Sequence, residues 1–150
     1  NYHPLNSHVV PGLIRKFSIA KRDNLSSVTC WGTGKVRREL MHVDDLAEAA
    51  IFCLENWFPS EVDAPKDNAG YPLNYLNVGT GIDISIKELA KKIASIVKFK
   101  GEILWNKNMP DGTPRKILDI SRLTKLGWKS KINLTSGLAN TINALDISKF

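Results

Sequence analysis

Apolar residues recur at helical spacing in four stretches of this chain, with short strand-like runs between them. Leu13, Ile14, Phe17, Ile19 and Ala20 follow Pro11, a residue suited to the first turn of a helix. Arg15, Lys16, Lys21 and Arg22 make that helix basic. Val28 to Trp31 reads as a strand closed by the turn Gly32-Thr33-Gly34, and Glu39 to Val43 as a second strand. The second strand leads into Asp44-Asp45, which can cap the helix carrying Leu46, Ala49, Ala50, Cys53 and Leu54. Four turn formers, Pro59, Pro65, Gly70 and Pro72, mark residues 57–72 as an exposed loop. Leu73 to Val78 reads as a strand ending in Gly79-Thr80-Gly81.

Ser85 and Glu88 form a capping box opening the clearest helix, with Ile86, Leu89, Ala90, Ile93, Ala94, Ile96 and Val97 along one face. Glu102 to Trp105 is a strand, and 110–116 a loop. A short helix from Ser121 stops at Gly127. A last helix from about Thr135 sets Leu134, Leu138, Ile142 and Leu145 on one side. The first ten residues are polar and turn-forming. Interleaved strands and helices predict an α/β class, as a mixed α+β piece.

Composition narrows the class. The 150 residues are 43% hydrophobic and 24% charged, globular proportions for one domain spanning 1–150. A net charge of +6 favours an anionic partner, without choosing among nucleic acid, membrane and a phosphorylated small molecule. Cys30 and Cys53 fit no CxxC pattern and read as reduced, partly buried thiols of a cytoplasmic protein. No run approaches a membrane span, so no membrane partner is expected. Asn1-Tyr2-His3-Pro4 opens the chain without a methionine or a leader, as an excised piece would.

Four places offer chemistry. Trp31-Gly32-Thr33-Gly34 followed by Arg37-Arg38 suits a phosphate-bearing ligand, with Trp31 stacking on a base; a hairpin turn with surface arginines is the other reading. Asp111-Gly112-Thr113-Pro114-Arg115-Lys116 could hold ribose hydroxyls and phosphate, or be an ordinary turn with solvated charges. His8 is of the residue type whose unperturbed charge change falls near neutrality, and it gains interest beside a substrate; otherwise it is structural. Asp44-Asp45 could serve acid–base or metal chemistry, but its place at a helix start favours capping. His3 and His42 lack partners at ligand spacing, so no metal site is expected. The chain has no complete GxGxxG, no P-loop, no GxSxG and no Tyr-x-x-x-Lys, so it cannot build a dinucleotide-binding unit by itself.

The order of these segments resembles a known family. Asn6-Ser7-His8-Val9-Val10-Pro11-Gly12 is similar to the start of the C-terminal domain of GDP-L-fucose synthases, extended short-chain dehydrogenase/reductases of the NAD-dependent epimerase/dehydratase superfamily. Trp31-Gly32-Thr33-Gly34, Arg38 to Ala47, Asn77-Val78-Gly79-Thr80-Gly81 and Pro110 to Lys116 with Leu126-Gly127-Trp128 resemble its later blocks. The resemblance spans nearly the whole chain. It implies the substrate-binding part of an NADPH-dependent GDP-4-keto-6-deoxy-D-mannose 3,5-epimerase/4-reductase, without the N-terminal Rossmann half and inactive alone.

Further roles follow from the resemblance. His8 would be the acid/base residue of the epimerisations and touch the cofactor NADP, most of whose site lies elsewhere. Val9, Leu13, Lys16, Trp31, Arg38, Asp111 and Lys116 would contact the GDP-sugar. Lys16 stands where some relatives have arginine, which loses the planar fork for bidentate phosphate contact. The complete enzyme would be a homodimer with no nucleic-acid partner. Another nucleotide-sugar epimerase or dehydratase is the nearest alternative. A small basic nucleic-acid module is a more distant one, since aromatics are only 8% and the basic residues form no stripe.

Overall fold

Ten elements follow one another in the computed structural model, which describes residues 1–4 and 6–146. Leu5, within the expected turn-forming start, and 147–150, within the expected single domain, lie outside the described residues. The elements are α1 (Val9–Arg22), β1 (Ser27–Trp31), β2 (Arg37–Glu39), α2 (Val43–Asn56) and β3 (Asp83–Ser85). They continue with α3 (Ile86–Ile96), β4 (Glu102–Asn106), β5 (Arg115–Lys116), α4 (Ser121–Lys125) and α5 (Leu134–Asn143). β1 pairs with β4 in parallel, Ser27 facing Glu102 and Trp31 facing Asn106. A second, three-stranded sheet has the order β3-β2-β5. This is the expected mixed α/β class.

The chain divides into two compact units. The first comprises Asn1–Arg38, Ile84–Arg115 and the chain from Thr135 on; the second comprises Glu39–Asp83 and Lys116–Leu134. In the first unit, α1 turns Leu13, Ile14, Phe17 and Ala20 inward, as its periodicity predicts. β1 alternates, burying Val28 and Cys30 while exposing Thr29 and Trp31. α3 buries Leu89, Ala90, Ile93 and Ala94, and α5 adds Leu138 and Ile142. Phe17 and Phe99 meet edge-on at a tilt, centroids 5.6 Å apart. The capping box forms as the sequence predicts: Ser85 Oγ accepts from Glu88 N, and Glu88 Oε2 accepts from Ser85 N at 3.0 Å.

The second unit is built on Ala49, Leu123 and Trp128, with Met41, Phe52, Cys53, Leu76 and Val78 packed around them. Three expectations fail here. The strand placed over Glu39–Val43 lies instead at Arg37–Glu39. α2 already begins at Val43, and its cap is His42, whose Nδ1 accepts from Asp44 N. Asp44-Asp45 therefore does not cap. Asp45 is 2% exposed, and its two oxygens accept from Lys131 N and Ile132 N at 3.1 and 3.0 Å. Third, Leu73–Val78 forms no strand. Its backbone is tied by Leu73 N donating to Pro65 O, and a ladder needs a neighbouring strand that the described residues do not place there. The preceding stretch is mostly exposed, with one antiparallel bridge, Lys66 to Pro72, and an Asp67 turn accepting from Ala69 N and Tyr71 N.

Candidate functional site

Helix α1 starts where the backbone leaves the extended conformation at His8 (φ −66°, ψ 166°). That entry leaves His8 exposed at the helix mouth, with no side-chain hydrogen bond capping α1. One and two turns after Val9, Leu13 and Lys16 follow on the same side of α1. Together with Trp31 from the end of β1 and Ile86 from α3, they line a cavity of about 240 Å³. Lys16 is held in place: its Nζ donates to Thr29 O at 3.0 Å and sits 5.6 Å from the centre of the Trp31 ring. Cys30 forms part of the cavity wall. Burial pushes its thiol above the ordinary value, partly offset by the Lys16 charge, so it stays protonated at neutral pH.

A second cavity of about 160 Å³ adjoins the first, sharing Val9, Trp31 and Ile86 and adding Val36, Arg38 and Asp111. Arg38 is fixed through Nη1, which donates to Arg37 O at 2.7 Å and to Thr113 O at 2.6 Å. Both acceptors are neutral carbonyls, so the guanidinium charge meets no carboxylate among the described residues. Such a cation, anchored but not neutralised, is suited to an anion.

Asp111 is tied to the turn at Thr33. Its Oδ1 accepts from Thr33 N and its Oδ2 from Thr33 Oγ1, both at 2.7 Å. These bonds, the hydroxyl first, hold the carboxyl below its ordinary value, with help from the Gly34 amide and Lys35. A lowered folded value means that the pairing stabilises fully above the unfolded pKa, about 3.9, and fades as pH falls through the lower folded one. The Thr33 amide resonance should therefore stay constant through neutral and mildly acidic pH and shift only below ~3.9. A midpoint at or above that value would show that the pair is open in solution.

Of the residues singled out in the sequence, His8, Val9, Leu13, Lys16 and Trp31 line the larger cavity, and Arg38 and Asp111 the smaller. Lys116 does not join them. It is exposed on β5, in the second unit. Thr33, which lies 78 residues from Asp111 in sequence, carries no local signal of this pairing. Glu39 was also missed. In the second unit its Oε1 accepts from Thr80 N and Gly81 N at 2.6 Å, and its Oε2 from Leu118 N at 2.8 Å. A Cβ at Gly79 would overlap Glu39 Oε1, so a side chain there would have to displace that carboxylate from the turn. Two amides of the Gly79-Thr80-Gly81 turn are thus already taken by a carboxylate of the chain itself.

Comparison with known proteins agrees with this architecture. Residues 1–64 match the NAD dependent epimerase/dehydratase family. The GDP-L-fucose synthase of Escherichia coli (strain K12) is 47% identical over 141 residues, which are 94% of this chain and 43% of that protein. The probable GDP-L-fucose synthase 1 of Oryza sativa subsp. japonica is 45% identical over 141 residues, 94% of this chain and 39% of that protein. Among solved structures, a GDP-mannoheptose C4 reductase from Campylobacter jejuni with NADP bound superposes with a TM-score of 0.78 at 33% identity. That match covers 95% of this chain and 48% of the reductase. The chain spans about two-fifths of the length of the curated relatives it matches. By sequence and fold, the chain is a relative of the GDP-L-fucose synthases, corresponding to their C-terminal part, with the mixed α/β fold of that part of an extended short-chain dehydrogenase/reductase.

Proposed function

We propose that the chain is the substrate-binding part of an NADPH-dependent GDP-4-keto-6-deoxy-D-mannose 3,5-epimerase/4-reductase, the enzyme that makes GDP-L-fucose. One observation carries the reading. Two adjoining cavities with a shared wall align an imidazole, a stacking ring, a lysine and a guanidinium without a carboxylate partner. The names of the relatives supply the ligand class, for the two synthases name GDP-L-fucose and the C4 reductase names GDP-mannoheptose.

Trp31 offers a face to the base, and Arg38 and Lys16 offer charge to the diphosphate. GDP held there is remote from the reacting carbons, so its binding energy serves to position the sugar. A ketone acidifies the hydrogens on the carbons beside it, and an exposed imidazole at the cavity mouth can give or take those protons. NADP finds little in these residues. The Gly79-Thr80-Gly81 turn is occupied by Glu39, and His8 is the single group here proposed to touch the cofactor. When bound, NADPH supplies the hydride of the reduction, and most of its contacts must come from the N-terminal part of a complete enzyme.

α2 fits that division of labour. Its inner side packs on Leu123 and Trp128, while Val43, Leu46, Ile51 and Leu54 stand 48–80% exposed on its other side. An apolar stripe of that kind marks an interaction surface, and we assign it to the N-terminal Rossmann half.

The site reading is tested by titrating GDP into this chain and following amide resonances. With part of the pocket wall absent, the affinity should be on the order of millimolar. Arg38→Ala should make binding hard to detect, since a hydrogen bond to a charged group is worth about 1.5–3 kcal/mol. Arg22→Ala, at an exposed ion pair with Asp23, should bind as wild type does. Equal binding by the two variants would reduce the basic residues to a diffuse field, and a parallel titration with UDP and dTDP would separate this reading from other nucleotide-sugar enzymes.

A further inference from the structure

Three side chains, Val9, Trp31 and Ile86, line both cavities, so they form the wall where the two adjoin. Val9 and Trp31 are anticipated from the sequence, whereas Ile86 reads there only as an apolar position of α3. It is the first residue of that helix and is 9% exposed. A helix N-terminus bordering a cavity is ordinarily a place for an anion, because its first four amides lack partners within the helix. Here all four are taken. Ser85 N donates to Glu88 Oε2 at 3.0 Å, Ile86 N to Val36 O at 3.0 Å, Lys87 N to Gly34 O at 2.9 Å and Glu88 N to Ser85 Oγ at 3.2 Å. What α3 gives the cavities is therefore the Ile86 side chain, not an amide. The cations lie apart: Lys16 lines only the larger cavity and Arg38 only the smaller. A single anionic ligand reaches both by passing the wall that Val9, Trp31 and Ile86 share.

We propose that Ile86 is a specificity-determining residue whose side chain sets the passage between the two cavities. The passage favours a nucleoside diphosphate, whose two phosphates engage Lys16 and Arg38 at once, over a monophosphate, which engages one of them. The proposal rests on the nucleotide reading above for its ligand, and it adds a claim that reading does not need: one ligand occupies both cavities. Bulk at position 86 narrows the passage without removing either cation. Ile86→Phe therefore penalises a ligand that spans the cavities more than one that fits in a single cavity, and specificity is that difference.

The experiment titrates GDP and GMP into this chain and follows two amides, Leu13 beside the larger cavity and Val36 beside the smaller. In the wild type, GDP should shift both amides and GMP only one of them. GDP should also bind at least ~10-fold more tightly than GMP, as one further hydrogen bond to a charged group would provide. In Ile86→Phe the ratio of the two affinities should fall to about one, and Ile86→Leu, which keeps the volume, should restore the preference for GDP. Unchanged Ile93 and Leu138 amides, in the core of this unit, show that the variant is folded. Should Ile86→Phe not fold, the wild-type titrations decide by themselves. GDP shifting only one of the two amides, or a wild-type ratio surviving in folded Ile86→Phe, overturns the passage and leaves the nucleotide reading standing. GDP shifting neither amide removes the nucleotide reading and the passage together.

Discussion

Asp45→Ala should lower the unfolding free energy of this chain by about 3 kcal/mol. The carboxylate is 2% exposed and is the acceptor for two backbone amides, Lys131 N and Ile132 N. Removing it leaves both donors without a partner inside the protein, and each such loss costs about 1–3 kcal/mol. A second contribution comes from position. Asp45 lies in the first turn of α2, where its negative charge faces the positive end of the helix, worth about 0.3–1 kcal/mol. Urea titration followed by circular dichroism measures the effect as a lower midpoint at unchanged slope. Asp44→Ala is the control, since its side chain is exposed and its loss should cost well under about 1 kcal/mol, as surface substitutions generally do. A loss at Asp45 no larger than at Asp44 would mean that the segment 131–132 is not anchored to α2 in solution.

The largest effect on chemistry should come from His8→Gln. In a complete enzyme carrying this sequence as its C-terminal part, the substitution should slow epimerisation by ~10²–10⁴-fold, the usual contribution of a general acid–base group. GDP affinity should hardly change, because glutamine keeps the polar rim of the cavity and the imidazole does not cap α1. The two effects separate in one set of measurements. Incorporation of deuterium from solvent into the sugar reads the proton transfers, and equilibrium binding of GDP reads the site. Wild-type deuterium exchange in His8→Gln would leave His8 as nothing more than the residue before α1.

Local segments of this fold were legible without coordinates. The capping box of Ser85 and Glu88 works within four residues, and the apolar period that follows needs only one side of α3 to meet a core. The turn at Gly32-Thr33-Gly34 also declared itself, since glycine pairs there answer a backbone demand rather than a distant contact. The order of the Asn6–Gly12, Trp31–Gly34 and Pro110–Lys116 blocks carried the resemblance to GDP-L-fucose synthases, and relatives 45–47% identical along 141 residues bear it out. For the site, the side chains grouped around α1 and β1 were anticipated as a set.

What the chain pattern could not decide were interactions whose two halves lie far apart. A strand is a property of a pair. Leu73–Val78 has the composition of one, yet the described residues place no strand beside it, so it forms none. A carboxylate likewise follows whichever donors the fold brings to it. Asp45 was spaced to cap α2, but the amides of Lys131 and Ile132, 86 and 87 residues away, take both its oxygens and leave the cap to His42. Asp111 likewise accepts from the turn at Thr33, 78 residues earlier, a pairing that no local pattern announces. Sequence by itself therefore determined the helices, the turns and the kinship, all governed by neighbours within a few residues. Which polar groups are spent on the fold and which stay available to a ligand was decided by tertiary structure alone, because a buried or half-buried acceptor pairs with the nearest donor in space.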